Sequence, residues 1–272
     1  MADTTTLIQA AFLGVVEGVT EFLPISSTGH LILADRLIDF KQRFPSAEIF
    51  EVVIQFGAIL AVCALYFDRL LRVAVRLPYD PEARRFVLDV IVAFLPAAVL
   101  GLIFHDFIKR VLFSPWVVVT TMILGGVAIL IIEALRPKPR YEFSEELPVT
   151  TSLGIGFFQA LAMIPGTSRS ASTILGAMLL GVDRKAATEF SFFLAIPTML
   201  AASVLDLWKG RADLHGGEML TIGVGFVISM VTAFFVVKAF LRFVTTHTFR
   251  GFGWYRIAAG VLIAVVLLVF HA

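Results

Sequence analysis

The chain has one cysteine, Cys63, in 272 residues, so no intrachain disulfide staples the fold. Charge is scarce as well: Asp, Glu, Lys and Arg together make up 16% of the residues. The formal net charge of +1 supplies no basic field, and no Lys/Arg tract forms a polyanion-binding arm, which argues against a nucleic-acid partner. Cations are missing altogether before Arg36. The opening Met1-Ala-Asp-Thr-Thr-Thr therefore lacks the basic n-region of a cleavable leader, and the first apolar stretch is expected to stay in the mature fold.

What fills the chain instead is hydrocarbon. The apolar share is 58% and the mean hydropathy +0.91, against about 45–50% apolar for a soluble domain. The expected fold class is an all-α integral membrane protein. A spanning helix needs about 20 mostly apolar residues, and six segments qualify: 50–67, 86–104, 116–135, 190–207, 219–240 and 254–271. Residues 7–37 and 150–182 are apolar enough for the membrane, but Pro and Gly with polar neighbours break each near its middle. Broken backbone at membrane depth is tolerated only where protein or a water-filled cavity covers it. Both are read as re-entrant helical hairpins.

The order hairpin, span, span, span occurs twice, so one membrane domain, 1–272, divides into a first repeat, 1–136, and a second, 147–272. Three spans per half would invert the second copy. Local resemblance supports the duplication: Gly14-Val-Val-Glu17 resembles Gly156-Phe-Phe-Gln159, and Ile25 to Leu33 resembles Thr167 to Leu175 with an apparent one-residue slip. Cations favour the loops that hold Arg69, Arg72, Arg76, Arg84 and Arg85, then Arg136, Lys138 and Arg140. By the positive-inside rule these face the cytoplasm and both termini lie outside. Arg169 and Arg256 fall inside apolar segments rather than in loops. The run from Pro137 to Glu146 reads as a solvated linker, and Asp89, Glu133 and Asp206 as snorkelling side chains near span ends. Pro197 marks a kink, and Cys63 is either lipid-facing or packed.

Two polar islands stand out. The first, Glu17-Gly-Val-Thr-Glu21-Phe-Leu-Pro24-Ile-Ser26-Ser27-Thr28-Gly29-His30, places two carboxylates four residues apart on one helix face. Two such groups in a low-dielectric site cannot both stay ionised without a cation, so a shared proton or a bound metal is expected. Ser26, Ser27 and Thr28 follow Pro24 and precede an apolar run, the signature of a capped helix start. A helix start with free amides is also an anion site. The second island, Pro165-Gly166-Thr167-Ser168-Arg169-Ser170-Ala171-Ser172-Thr173, repeats that device and adds a cation. A guanidinium at a helix centre costs about 2.5–3.5 kcal/mol even on the lenient insertion scale. An ion pair to Glu17 or Glu21 would offset that cost; a phosphate gripped by the planar fork accounts for it better. His30 brings an imidazole suited to moving protons near neutrality. Glu51 and Gln55 share a face nearby, as outer support or as a rim.

At these residues the chain resembles the bacterial undecaprenyl-diphosphate phosphatase family, also called bacitracin-resistance proteins. The E/Q-x-x-x-E motif matches Glu17 to Glu21, the serine stretch matches Pro24 to His30, and P-G-x-S-R-S-x-x-T matches Pro165 to Thr173. The resemblance implies removal of the terminal phosphate from a C55 isoprenyl diphosphate in the inner membrane, recycling a lipid carrier for the cell wall, with the site opening to the periplasmic side. Ser27 is then the expected nucleophile and His30 its proton-transfer partner, with His30 itself, or water, as the competing nucleophile. Glu17 and Glu21 would hold a divalent cation, Mg2+ or Ca2+. Arg169, Ser26, Thr28, Ser168, Ser170 and Thr173 would bind phosphate oxygens. The expected partners are the polyprenyl diphosphate and the bilayer, and a homodimer is the assembly considered. The other class of function that fits inverted repeats around a midplane site is a transporter or flippase of the lipid phosphate.

Overall fold

A computed structural model describes residues 3–112, 114–135, 138–210 and 218–270; Arg136, counted above among the loop cations, lies outside them. Among the described residues there are twelve α-helices and no β-strand. They are α1 (Thr4–Thr20), α2 (Ser27–Ile38), α3 (Phe40–Arg43), α4 (Ala47–Leu65), α5 (Phe67–Arg76), α6 (Pro81–Phe107), α7 (Pro115–Leu135), α8 (Val149–Ala160), α9 (Arg169–Leu179), α10 (Arg184–Gly210), α11 (Met219–Val244) and α12 (Arg250–Phe270). Six of these, α4, α6, α7, α10, α11 and α12, are long and apolar enough to cross a membrane. They coincide with the six expected spans, and several start a few residues earlier. The chain is an all-α membrane protein.

The two broken segments become two pairs of short helices. At about 1.5 Å per residue, the 12 residues of α2 and the 11 of α9 reach roughly 16–18 Å, well short of a hydrocarbon core of about 30 Å. Each pair doubles back. Gln9 Nε2 donates to the carbonyl of Ile38 at 2.6 Å, closing the start of α1 on the end of α2, and a Cβ on Gly154 of α8 would stand 2.8 Å from Leu180 Cδ1, just past α9.

The breaks form for the same local reason. Pro24 and Pro165 interrupt the apolar runs, and a serine caps each restarted helix: Ser26 Oγ accepts from the Gly29 N–H at 3.4 Å and Ser168 Oγ from the Ala171 N–H at 3.2 Å. Both serines sit at positive φ, 72° and 73°, a region that costs a side-chain-bearing residue energy and clusters at functional sites. One spacing of 142 positions relates the blocks (14 to 156, 17 to 159, 26 to 168). The one-residue slip expected above is therefore absent, and the two caps are in register.

Small residues let the helices approach closely. Gly14 and Gly18 of α1 lie on Gly225 and Ser229 of α11, where a Cβ would come within 2.6 and 2.7 Å of backbone oxygens; Gly156 of α8 meets the Ala93 carbonyl of α6 in the same way at 2.5 Å. The larger core cluster gathers around α9 and α10, with Ser170 to Met178 buried throughout and Phe190, Phe192 and Leu194 sealed beside them. A short helix buried on all sides needs neighbours on all sides, which places α9 at the centre. Cys63 is half-buried and packs against this core; Pro197 lies inside α10.

Two expectations need correction. Asp89 and Glu133 do not snorkel; they are buried. Ser152 donates to Asp89 at 3.0 Å. Glu133 accepts two bonds from Arg184, at 2.9 and 3.1 Å, and one from the Phe249 N–H at 2.7 Å, so it ties the starts of α10 and α12 together. Nor is the described part of the 137–146 run merely solvated. Arg140 N–H donates to Gly181 O at 2.7 Å, Tyr141 O accepts from the Asp183 N–H at 2.8 Å, and Ser144 is buried while donating to Glu145.

Candidate active site

The two breaks meet. Ser170 Oγ, in the first turn of α9, donates to the Leu23 carbonyl of the first break at 2.7 Å. This contact brings the first helical residues of α2 and α9, Ser27 and Arg169, to one carboxylate. Ser27 Oγ donates to Glu21 Oε2 at 2.6 Å, and Arg169 Nη2 donates to Glu21 Oε1 at 3.3 Å. Glu21 is buried, and the guanidinium beside it keeps only a small exposed area. Arg169 is aimed from behind: Nη1 donates to Ser191 O at 3.0 Å and Ser191 Oγ at 3.4 Å, Nη2 reaches Met199 Sδ at 3.4 Å, and the group lies over the Phe22 ring at 5.5 Å. Its Nε, although buried, has no partner.

Glu17 sits one turn before Glu21, 1% exposed, with neither carboxylate oxygen hydrogen-bonded. Its counterpart in the second half, Gln159, is satisfied, accepting from Thr198 at 3.2 Å and donating to Ala93 O at 3.5 Å. A buried carboxylate with no donor is costly unless it takes up a proton or a cation joins it. Among the described residues no cluster of three or more acid, His or Cys ligands forms. Two carboxylates suit Mg2+ nonetheless, which usually takes one or two and completes its shell with substrate phosphates and water. The donor set fits a divalent cation held by Glu17 and Glu21.

His30 is placed differently from the expectation. Its Nδ1 lies 2.7 Å from the Ser26 carbonyl, which can only accept, so Nδ1 carries the proton; Nε2 meets the Tyr255 hydroxyl at 2.7 Å, with the rings stacked. Both ring nitrogens are engaged away from Ser27, whose proton is directed to Glu21. Thr173 also departs. It is fully buried, bonds back to Arg169 O at 2.9 Å and to Ser191 Oγ at 2.5 Å, and so supports Arg169 rather than pointing into the break. Ser26 and Ser168 are caps, Ser170 ties the breaks together, and Thr28 is half-buried in the first turn of α2. Glu51 pairs with Lys41 at 3.0 Å, a rim position.

Sequence reasoning missed Tyr255, Ser191 and Arg256. Ser191 gave no signal within an apolar helix. Arg256 did give one: a cation inside an apolar span carries the same cost that singled out Arg169. It is fully buried and donates to five backbone carbonyls, including those of Pro24, Gly166 and Thr167 in the two breaks.

Comparison with known proteins adds to this geometry. The model of the bacitracin resistance protein BacA family matches residues 10–262. An undecaprenyl-diphosphatase of Rhodopseudomonas palustris is 54% identical over 256 residues, covering 94% of this chain and 95% of that protein. One from Aromatoleum aromaticum is 51% identical over 261 residues, 96% of this chain and 94% of its own. An undecaprenyl-diphosphatase 1 of Mesorhizobium japonicum is 47% identical over 268 residues, 98% and 99% of the two chains.

Proposed function

The chain belongs to the bacitracin resistance protein BacA family, and from that premise we propose that it is an undecaprenyl-diphosphate phosphatase whose reacting groups are Ser27, Glu21 and Arg169. It removes the terminal phosphate of a membrane-embedded lipid diphosphate, leaving the monophosphate carrier, and so accounts for resistance to bacitracin. The observation that carries the residue assignment is the chain from Ser27 through Glu21 to Arg169, at 2.6 and 3.3 Å.

In the first step Ser27 Oγ attacks the terminal phosphorus while its proton passes to Glu21 Oε2. The Oγ–P bond forms, the bridging P–O bond breaks, and undecaprenyl phosphate leaves with the electron pair. Arg169, released in part from Glu21 as that carboxylate takes the proton, grips the oxygens where charge gathers. Phosphoryl transfer asks for this combination of positioning and electrostatic stabilisation. In the second step water attacks the phosphoserine, Ser27 recovers its proton from Glu21, and both water protons leave with inorganic phosphate. A divalent cation on Glu17 and Glu21 would supply further charge neutralisation at the diphosphate. His30, held between Ser26 O and Tyr255, fixes the capped turn that presents Ser27.

The two short-helix pairs are re-entrant hairpins of inverted repeats, entering from opposite faces with their breaks meeting inside the membrane. The equal spacing and matched caps support this reading. The protein lies in the bacterial inner membrane with its site open to the periplasmic side and both termini outside.

The test is phosphate release by purified protein in detergent with a radiolabelled terminal phosphate. Ser27→Ala should abolish turnover, quenching of the parent in neutral SDS, which preserves both phosphoserine and phosphohistidine, should trap label on Ser27, and chelation of divalent cations should suppress release. Label on His30, or full activity of Ser27→Ala, would overturn the assignment.

A further inference from the structure

We propose that Arg256 is a positioning residue for this reaction: its guanidinium fixes the two breaks, and through them Ser27 and Arg169, in one geometry. The inference rests on the reading of Ser27 and Arg169 given above.

All five N–H groups of Arg256 are used, each on a backbone carbonyl. Nε donates to Met122 O at 3.2 Å; Nη1 to Pro24 O at 3.3 Å and Thr167 O at 3.0 Å; Nη2 to Thr121 O at 3.1 Å and Gly166 O at 3.0 Å. Pro24 belongs to the first break, Gly166 and Thr167 to the second, and Thr121 and Met122 to α7. Among the described residues no carboxylate pairs with Arg256, so its only partners are peptide oxygens. A guanidinium holds its donors in a rigid plane, and one plane that spans both breaks sets their separation. Ser27 follows Pro24 by three residues, and Arg169 follows Thr167 by two.

The surroundings are shaped for that plane. A Cβ on Gly125 of α7 would stand 2.2 Å from Arg256 Nη2 and 2.7 Å from Cζ, so only glycine leaves it room. Thr121 Oγ1 donates to Pro165 O at 2.6 Å, adding a direct bond from α7 to the second break. Met122, whose carbonyl Arg256 holds, sits under the first turn of α2, where a Cβ on Gly29 would lie 2.4 Å from its sulfur. The α7–α12 pair thus forms a buttress, and Arg256 is its contact with both halves of the site. It acts without reaching the substrate.

Three variants test this in the purified full chain: Arg256→Gln, Arg256→Lys and Gly125→Ala. Gly125→Ala keeps the arginine, touches neither break and pushes the guanidinium aside. Displacement of reacting groups by about 1 Å costs on the order of 100-fold in rate, and that loss in kcat is expected for Arg256→Gln, with KM changed far less and the unfolding temperature of the remaining monodisperse protein little moved. Gly125→Ala should also lose kcat, and Arg256→Lys, with three donors for five carbonyls, should fall between. Parent-like kcat in Arg256→Gln or Gly125→Ala overturns the inference. Full rescue by Arg256→Lys overturns it too, because charge alone would then suffice. If Arg256→Gln does not fold, Gly125→Ala and Arg256→Lys decide. Ser27→Ala run alongside separates the two claims: activity there refutes the nucleophile, whereas activity confined to the Arg256 and Gly125 variants refutes the positioning role.

Discussion

Ser27 and Arg169 hold the same position in two related turns, the first residue after a serine cap, and differ completely in chemistry. In the proposed mechanism one supplies an oxygen to react and the other a charge to stabilise, and Glu21 touches both. The ion pair with Glu21 offsets part of the cost of burying the guanidinium, and in the proposed step protonation of Glu21 weakens that pair as phosphate charge develops. Glu21→Gln keeps the shape but removes both the proton acceptor and the counter-charge. Loss of general-base assistance is worth about 10²–10⁴-fold, so kcat should fall by that order while the protein stays folded. Tyr255→Phe removes one hydrogen bond to His30, at 2.7 Å. A single neutral hydrogen bond contributes only about 0.5–1.5 kcal/mol, so activity within roughly tenfold of the parent is expected. Steady-state phosphate release on both variants checks the division of labour. A larger loss in Tyr255→Phe than in Glu21→Gln would return the proton-transfer role to His30.

At the scale of elements, the two breaks were legible because each carries its own punctuation: a proline, a cap and a polar run inside hydrocarbon. What α1 packs on was less so, yet Gly14-Val-Val-Glu17-Gly18 places two glycines on one face, and both meet α11. A Cβ at Gly18 would lie 2.7 Å from Ser229 O and from Thr232 Cβ. Overpacking of this kind typically costs about 1–3 kcal/mol, so Gly18→Ala should lower the unfolding temperature in detergent and reduce turnover, since Glu17 precedes it directly. Gly223, on the same α11, has nothing within 4 Å of a would-be Cβ. Gly223→Ala should be neutral or stabilising, by about 0.4–1 kcal/mol where the conformation suits alanine. Equal thermal shifts in the two variants would dismiss close α1–α11 packing as the cause. Harder to read were contacts whose partners carry no side-chain signature or lie far along the chain. Arg256 binds only carbonyls; Glu133 finds Arg184 and the Phe249 N–H; the His30 ring turns back to its own turn instead of toward Ser27. Spacing places such groups on a face, but their direction is set by packing.

For the whole molecule, the contacts sort the loops into two ends. Arg69 reaches Glu189 and Ser144, at 3.1 and 2.9 Å, Arg85 reaches Leu147 O at 3.2 Å, Arg140 meets Gly181 at 2.7 Å, and Glu133 joins Arg184 to Phe249. Segments after α4, α7, α9 and α11 therefore gather at one end, the end richest in cations. At the other, Lys41 pairs with Glu51, and Ser46 donates to Glu218 at 2.5 Å, bringing the segment after α2 to the start of α11. Six spans joined in that order fit the proposed topology, in which alternate loops lie on alternate sides of the membrane. The proposed orientation sets the cation-rich end in the cytoplasm. With Cys63 replaced by serine, single cysteines at Lys41 and Arg140, both exposed, make this measurable. A membrane-impermeant maleimide should label Lys41→Cys in intact spheroplasts and Arg140→Cys only after the membrane is opened. Labelling of both from one side would break the alternation and the inverted repeat with it. The reversed pattern would keep the fold but turn the molecule over, so that the diphosphate would be hydrolysed on the cytoplasmic face.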